Sequence, residues 1–305
     1  MQHFENINIK NYTSLKIGGL VKSLFFAENI VDIQTILKSL DDNEKSKIRI
    51  LGGGTNILVD DSENKVLDLI IIKLVGDFEK INIEKNNYII KVGSGAELQS
   101  IIIKLIKNNI FGMEVLAGIP GTIGGAVAGN SGTKYGDIAQ FIKSIQVLNY
   151  NGVIENYFFN NSNDNHYYFQ YRNANFLKDR IICYIELDPE SFIINKKVIG
   201  NENVKILEKY KNFFLKKTQN QPYYKNTAGC VFKNIDNFSI GKIIDEFGLK
   251  GFRIGSIYVS EKHANFLIAD EHAHFADFIA LTEFIKNKVK KEKGLELEFE
   301  IKIWE

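Results

Sequence analysis

The chain has 305 residues, long enough for two or three domains because single hydrophobic cores stop growing near ~250–300 residues. It is 45% hydrophobic and 25% charged, the balance of a globular protein. Its 38 basic and 37 acidic side chains nearly cancel, so no global field draws in nucleic acid or an anionic membrane, and neither is expected as a partner.

Residues 1–22 carry no apolar run with a small-residue cleavage site, so no signal peptide is expected. The most apolar stretches, 67–75 and 101–110, contain lysines and fall far short of the ~20 residues that cross a bilayer. Cys183 and Cys230 form no metal or redox spacing. A cytoplasmic protein with reduced thiols is expected.

Residues 31–40 have the apolar period of a short amphipathic helix. Residues 47–51 read as a strand that runs straight into three glycines. Residues 67–74 and 81–92 read as strands, the second interrupted by the turn-forming pair Asn86-Asn87. A helix over 96–107 follows Gly93-Ser94-Gly95. Within 142–157 two β-type runs flank Asn151-Gly152, which predicts a hairpin closed by a type I′ turn. Residues 181–187 form another buried-strand pattern.

Composition shifts after Pro189. Residues 201–217 predict a polar, lysine-rich helix that opens a second unit. Helices are predicted over 239–247 and 275–293, the latter stopped by Gly294. Residues 295–304 alternate as a half-exposed strand does. There is no internal repeat and no low-complexity linker. Alternating helix and strand signals predict a mixed chain.

Two glycine-rich segments carry the most chemical information. The first is Gly52-Gly53-Gly54-Thr55-Asn56-Ile57-Leu58, directly after a strand. The second runs Gly118-Ile119-Pro120-Gly121-Thr122-Ile123-Gly124-Gly125-Ala126-Val127-Ala128-Gly129-Asn130. Glycine lets backbone approach a ligand closely, so that N–H groups can converge on an anion such as a diphosphate. Neither segment is a Walker loop or the dinucleotide fingerprint of a βαβ unit. Paired loops of this length point to ligand binding more than to two tight turns.

This pair resembles the FAD-binding loops of the UDP-N-acetylenolpyruvoylglucosamine reductase family. Further segments resemble the same family in the same order: Asn11-Tyr12-Thr13-Ser14-Leu15-Lys16-Ile17-Gly18-Gly19, then Tyr171-Arg172-Asn173-Ala174-Asn175-Phe176, then Asn226-Thr227-Ala228-Gly229-Cys230-Val231-Phe232-Lys233-Asn234. Val259-Ser260-Glu261-Lys262-His263-Ala264-Asn265-Phe266 and Leu297-Glu298-Phe299-Glu300-Ile301-Lys302 complete the set. The likeness spans nearly the whole chain.

The resemblance implies an α+β fold: an FAD-binding unit of the vanillyl-alcohol-oxidase (PCMH) type with subdomains 1–75 and 76–190, and an α+β substrate-binding domain over 195–294. The strand 295–305 is expected to return to the FAD unit. The short span 150–179 points to the subtype without a large lid. FAD is expected to be non-covalent, because neither glycine loop contains histidine or cysteine. Its implied contacts are Gly52, Gly53, Gly54, Thr55, Asn56, Ile57, Leu58, Gly118, Ile119, Pro120, Gly121, Thr122, Gly124, Gly125, Ala126, Gly129 and Asn130.

The implied reaction is the NADPH-dependent reduction of UDP-N-acetylglucosamine enolpyruvate to UDP-N-acetylmuramate, a step of peptidoglycan precursor synthesis, by a monomer. Hydride delivery to C3 of the enolpyruvyl ether builds negative charge on C2 and its carboxylate. The chemistry therefore needs a cation, a second carboxylate-stabilising group and an acid beside C2. By resemblance Arg172 is the cation, since a guanidinium suits a carboxylate and stays charged. Glu300 is the second group, which implies a raised pKa. Cys230 is the proton donor, where many members have serine. A thiol of pKa ~8.5 is mostly protonated at neutral pH and is a better acid than a hydroxyl, but adds oxidation sensitivity. Lys217, Gln221, Asn234 and His263 are implied substrate contacts.

Cys183 reads as a buried structural thiol. His272 and His274 lack carboxylate partners at metal spacing, and no metal is expected. Ala174 stands where many members have serine, and the loop 131–136 looks one residue longer than the family's. Two alternatives stay open: an FAD oxidoreductase of the same fold with another substrate, and a non-catalytic UDP-sugar-binding protein.

Overall fold

The computed structural model describes residues 1–63, 65–84, 89–159, 168–194, 201–235 and 238–305. The Asn86-Asn87 pair lies outside the described residues. The chain folds as two compact units. The first comprises Met1–Phe4, Ser23–Gly52 and Leu69–Leu215, and the second comprises Glu5–Lys22, Gly53–Asp68 and Lys216–Glu305. The division does not follow chain order, and it cuts the first glycine loop between Gly52 and Gly53.

In the first unit, strand Ile48–Leu51 pairs in parallel with Val66–Leu74, Leu51 facing Lys73. The run Ile70, Ile71, Ile72 is buried on both faces, which is why it reads as a continuous apolar block rather than an alternating one. Helix Ile30–Ser39 begins where the Asn29 side chain accepts a hydrogen bond from the Asp32 N–H at 3.0 Å, satisfying a donor that the first turn leaves open. It buries Ile33, Ile36 and Leu37, one face of the helix, in the core that holds Ile48, Ile70 and Ile72.

The larger sheet of this unit is antiparallel, in the order Ile154–Phe158, Ile142–Asn149, Arg180–Leu187, Ile89–Gly93, Ile81–Glu84. Helix Leu98–Lys107 lays Leu98, Ile101, Ile102, Leu105 and Ile106 into the core shared with Ile90, Val92, Ile145, Val147 and Ile185. Each such side chain, fully buried, contributes about 1.5–3 kcal/mol.

The hairpin around Asn151-Gly152 forms, but not with a type I′ turn. Asn149 N–H donates to Val153 O at 3.0 Å, and Gly152 N–H donates to Asn149 O at 2.9 Å. The loop therefore has three residues, and only Gly152 takes a positive φ, +79°. That is the form with a left-handed residue last. The Asn149 carboxamide oxygen decides it, accepting from the N–H groups of both Asn151 and Val153 at 3.0 and 3.1 Å.

In the second unit a three-stranded antiparallel sheet runs Arg253–Ile254, Ile257–Val259, Leu267–Ala269. Helix Phe275–Lys293 packs Phe278, Leu281, Ile285 and Val289 into a core with Ile240, Ile244, Ile257 and Leu267. It starts where Asp61 accepts from the Phe275 N–H at 2.9 Å, and ends at left-handed Gly294. Regular strand near the C-terminus is confined to Lys302–Trp304, which pairs in parallel with Ile57–Val59. The preceding residues make one isolated bridge, Phe232 with Phe299, rather than the longer strand predicted. Helix Asn201–Asn220 belongs to the first unit as far as Leu215 and to the second from Lys216. With helices gathered beside mainly antiparallel sheets, the fold class is α+β, as expected.

Candidate functional site

Within the first unit the end of one glycine loop meets the middle of the other. A Cβ placed on Gly52 would stand 2.6 Å from Thr122 Oγ1. Thr122 is the N-cap of the short helix Ile123–Ala128, its hydroxyl accepting from Gly125 N–H at 3.3 Å. From below, Lys73 Nζ donates to Gly52 O at 2.9 Å. Burial pushes the Lys73 ammonium below its usual pKa, with Glu79 opposing the shift.

Two buried polar atoms here have no hydrogen-bond partner among the described residues: Ser94 Oγ and Asn130 Oδ1. Ser94 O accepts from Gly124 N–H at 2.8 Å, so its side chain lies at the foot of the second loop. Orphaned polar atoms of this kind cost about 1–3 kcal/mol each unless a ligand or water meets them.

Arg172 sits on a tight turn in which Gln170 and Asn173 exchange backbone hydrogen bonds at 3.0 and 3.1 Å. Its φ is +55°, a region unusual for a residue with a side chain. Its guanidinium donates to Asn130 O at 3.4 Å and to Gly132 O at 3.2 Å. The predicted cation and the end of the second glycine loop are thus one assembly. Ala174 is buried in the apolar core, so a methyl group suits the position where many members of the resembled family have serine. The variant loop closes as a small hairpin, Thr133 facing Gly136 and Gly132 facing Asp137.

The second unit holds the rest of the first glycine loop. Gly54 has φ +64°, and a Cβ there would collide with the Tyr12 carbonyl, so only glycine fits. Gly54 O accepts from Ser14 N–H at 3.0 Å and Ser14 Oγ at 3.2 Å. Ser14 Oγ also reaches Thr227 O at 2.7 Å. Asn56 Nδ2 donates to Glu300 O at 3.2 Å, and Lys302 N–H donates to Asn56 O at 2.9 Å.

Cys230 is half-buried and bridges to Phe266, while Glu300 N–H donates to the neighbouring Val231 O at 2.8 Å. The predicted acid and the predicted glutamate therefore lie on adjacent extended segments of one unit. Asn265 fixes them: its side chain accepts from Phe232 N–H at 3.0 Å and donates to Phe232 O at 2.8 Å. Of the three alternating glutamates, Glu296 pairs with Lys290 and Glu298 with Lys233 at exposed positions, whereas Glu300 is half-buried. Thr227 Oγ1, three residues before Cys230, is a third buried polar atom without a partner among the described residues.

Asn234 and His263 converge on helix Ile240–Glu246. Asn234 Oδ1 accepts from Ile240 N–H at 3.1 Å, and a Cβ on Gly241 would stand 2.9 Å from His263 Cε1. His263 Nδ1 accepts from Asn265 N–H at 3.3 Å, and burial lowers its pKa. Lys217 lies in the last turn of its helix, where its carbonyl accepts from Gln221 N–H at 2.8 Å. Cys183 is buried, and burial pushes its thiol up to about 12.

Several participants escaped the sequence reading. Lys73 lies inside an apolar strand pattern, Ser94 lies in the Gly93-Ser94-Gly95 stretch before a predicted helix, and Asn265 stands beside the predicted contact His263. Asn265 was within reach, because it stands inside a quoted motif; Lys73 and Ser94 gave no signal.

Comparison with known proteins covers both units. Residues 221–304 match the family described as UDP-N-acetylenolpyruvoylglucosamine reductase, C-terminal domain, and residues 21–157 match an FAD binding domain. A UDP-N-acetylenolpyruvoylglucosamine reductase of Thermotoga sp. (strain RQ2) is 35% identical over 295 residues, 96% of this chain and 90% of that one. Another, from Orientia tsutsugamushi (strain Ikeda), is 33% identical over 99% of this chain and 94% of its own. The crystal structure of UDP-N-acetylenolpyruvylglucosamine reductase from Thermus caldophilus superposes with a TM-score of 0.78 at 26% identity, covering 100% of this chain and 98% of that one.

Proposed function

This chain belongs to the UDP-N-acetylenolpyruvoylglucosamine reductase family, and from that premise we propose how its residues divide the family's reaction. It is an FAD-dependent oxidoreductase that uses NADPH to reduce UDP-N-acetylglucosamine enolpyruvate to UDP-N-acetylmuramate in peptidoglycan precursor synthesis. The observation that carries this reading is the match over nearly the full length of both chains.

The residues present fit FAD. The loops at Gly52 and Thr122 pack too closely for any added side chain, and the buried Ser94 hydroxyl, which can donate or accept, and Asn130 Oδ1, which accepts, are polar atoms that a polar ligand would meet. Residues 52–58, 118–122, 124–126, 129 and 130 would hold the dinucleotide. Bound there, FAD supplies a hydride relay between NADPH and C3 of the enolpyruvyl ether.

The chain's own groups then handle charge and proton. Arg172, steadied by the Asn130 and Gly132 carbonyls, takes the substrate carboxylate and stabilises the charge that builds beside C2. Glu300 serves as its second stabiliser. Cys230 gives its thiol proton to C2. Lys217, Gln221, Asn234 and His263 line the sugar-nucleotide side; two of them are also tied into helix Ile240–Glu246. Residues 195–294 form the substrate-binding domain in this reading, and residues 1–190 with the last strand form the FAD part.

The enzyme works as a monomer in the cytoplasm, without nucleic-acid or membrane partners. Among the described residues no helix is long and apolar enough to cross a membrane.

Anaerobic stopped-flow absorbance at the flavin bands tests the assignment. NADPH should bleach the flavin, and UDP-N-acetylglucosamine enolpyruvate should restore it. Bleaching without recovery would leave a flavoenzyme with another substrate. Failure to take up FAD would favour a sugar-nucleotide-binding protein.

A further inference from the structure

The second glycine loop does not hold itself. Gln99, the second residue of helix Leu98–Lys107, uses both ends of its carboxamide on it. Its Oε1 accepts from Gly118 N–H at 2.9 Å, and its Nε2 donates to Ile119 O at 2.8 Å and to Leu116 O at 3.3 Å. Three backbone groups on either side of the Ala117-Gly118 step are thereby fixed by one side chain. Gln99 Oε1 accepts a further bond from Tyr210 OH at 3.2 Å.

Tyr210 lies on helix Asn201–Asn220, and its neighbour Lys209 anchors the same stretch from its other end. Lys209 Nζ pairs with Glu114 Oε1 at 3.2 Å, and Glu114 Oε2 accepts from Gly112 N–H at 2.6 Å. Glu114 is only 3% exposed, so this charge is paired where an unpaired one would be costly. Two adjacent residues of one helix thus clamp residues 112–119, the segment that leads into the loop.

We propose that Gln99 is a positioning residue for the FAD site, with Tyr210 as its support. Resting on the flavoenzyme reading above, it adds a residue outside both glycine loops. Gln99 touches no reacting atom. It fixes the course of the Gly118–Ile119 backbone, whose N–H groups are spent on Gln99 and Leu116 O, and so sets where the glycine loop that follows stands against the ligand; Tyr210 holds the carboxamide in the one orientation that serves all three backbone partners.

The test is FAD affinity of the apoprotein, followed by quenching of flavin fluorescence, for the wild type, Gln99→Leu and Tyr210→Phe. Thermal unfolding of each apoprotein is run alongside. Gln99→Leu removes three hydrogen bonds from the loop and should raise the Kd for FAD about tenfold or more. Tyr210→Phe removes the hydroxyl that supports Gln99 and leaves the three loop bonds in place, and should raise it by a factor of about two to five. Binding is measured well below every apoprotein's Tm, so a loss of stability alone would leave Kd unmoved. Wild-type Kd in Gln99→Leu, whatever its Tm, overturns the proposal. A wild type that does not bind FAD fails differently, because it removes the flavoenzyme reading on which the proposal rests.

Discussion

Gly52 and Thr122, seventy positions apart, stand so close that a single methyl group would not fit between them: a Cβ on Gly52 would lie 2.6 Å from the threonine hydroxyl. That hydroxyl caps helix Ile123–Ala128. The approach of the two loops is therefore limited by one missing side chain and registered by one cap.

Gly52→Ala is consequently expected to push Thr122 off its cap and weaken FAD binding by about 1–3 kcal/mol. The double variant Gly52→Ala/Thr122→Ala should lose less than the sum of its parts, because the clash goes with the hydroxyl. FAD titration of the four apoproteins in a double-mutant cycle measures this. Strict additivity would show that the two loops do not depend on each other.

For Arg172 the informative change is Arg172→Lys. The lysine keeps the charge and the left-handed backbone, but one ammonium cannot reproduce a planar fork already engaged with two carbonyls. Recovery of NADPH-bleached flavin on adding the sugar nucleotide should slow by about 10²-fold or more. Bleaching by NADPH should be unchanged. If both half-reactions run at wild-type speed in Arg172→Lys and Arg172→Met, the carboxylate is held elsewhere.

How much of this could be read from the residues alone depends on whether the determinant is local. Helix Phe275–Lys293 was legible because its apolar period and Gly294 stop are written in consecutive residues. The 151–152 turn was legible as a turn but not as a type, because the Asn149 carboxamide, two residues earlier, selects it. The strand reading of 295–301 failed because alternation there reports which residues enter the core, Leu297 and Ile301 buried with Leu295 and Phe299 packed against it, and not a paired ladder. At the site, glycine loops and the Arg172 motif announce themselves, whereas Lys73 under Gly52 and Ser94 under Gly124 matter only through tertiary contact.

His263 gives the second unit an acid sensitivity. Burial holds its pKa below the ordinary imidazole value near ~6.5. On acidification the unfolded chain therefore takes up this proton first. The histidine's contribution to stability is complete above that ordinary value and drains away as pH falls toward the lowered one. Thermal unfolding should show Tm falling as pH drops below the ordinary imidazole value of ~6.5, and His263→Gln, which cannot titrate, should flatten that part of the curve. An equal slope in the glutamine variant would mean that other groups carry the effect.

The two cysteines separate cleanly by environment. Cys183, with its thiol pushed up to about 12 by burial, should resist thiol reagents in the native protein, while half-buried Cys230 should react. One equivalent of label is therefore expected before unfolding and two after. If Cys230 gives the proton to C2, labelling it should abolish flavin reoxidation by the sugar nucleotide and spare reduction by NADPH. Cys230→Ala should do the same, slowing reoxidation by about 10²–10⁴-fold, the usual worth of a general acid. Cys230→Ser should keep substantial turnover and lose the sensitivity to reagent, since a hydroxyl can still donate but does not climb the thiol's oxidation ladder. Normal reoxidation in Cys230→Ala would remove the thiol from the mechanism and leave its bridge to Phe266 as a structural contact.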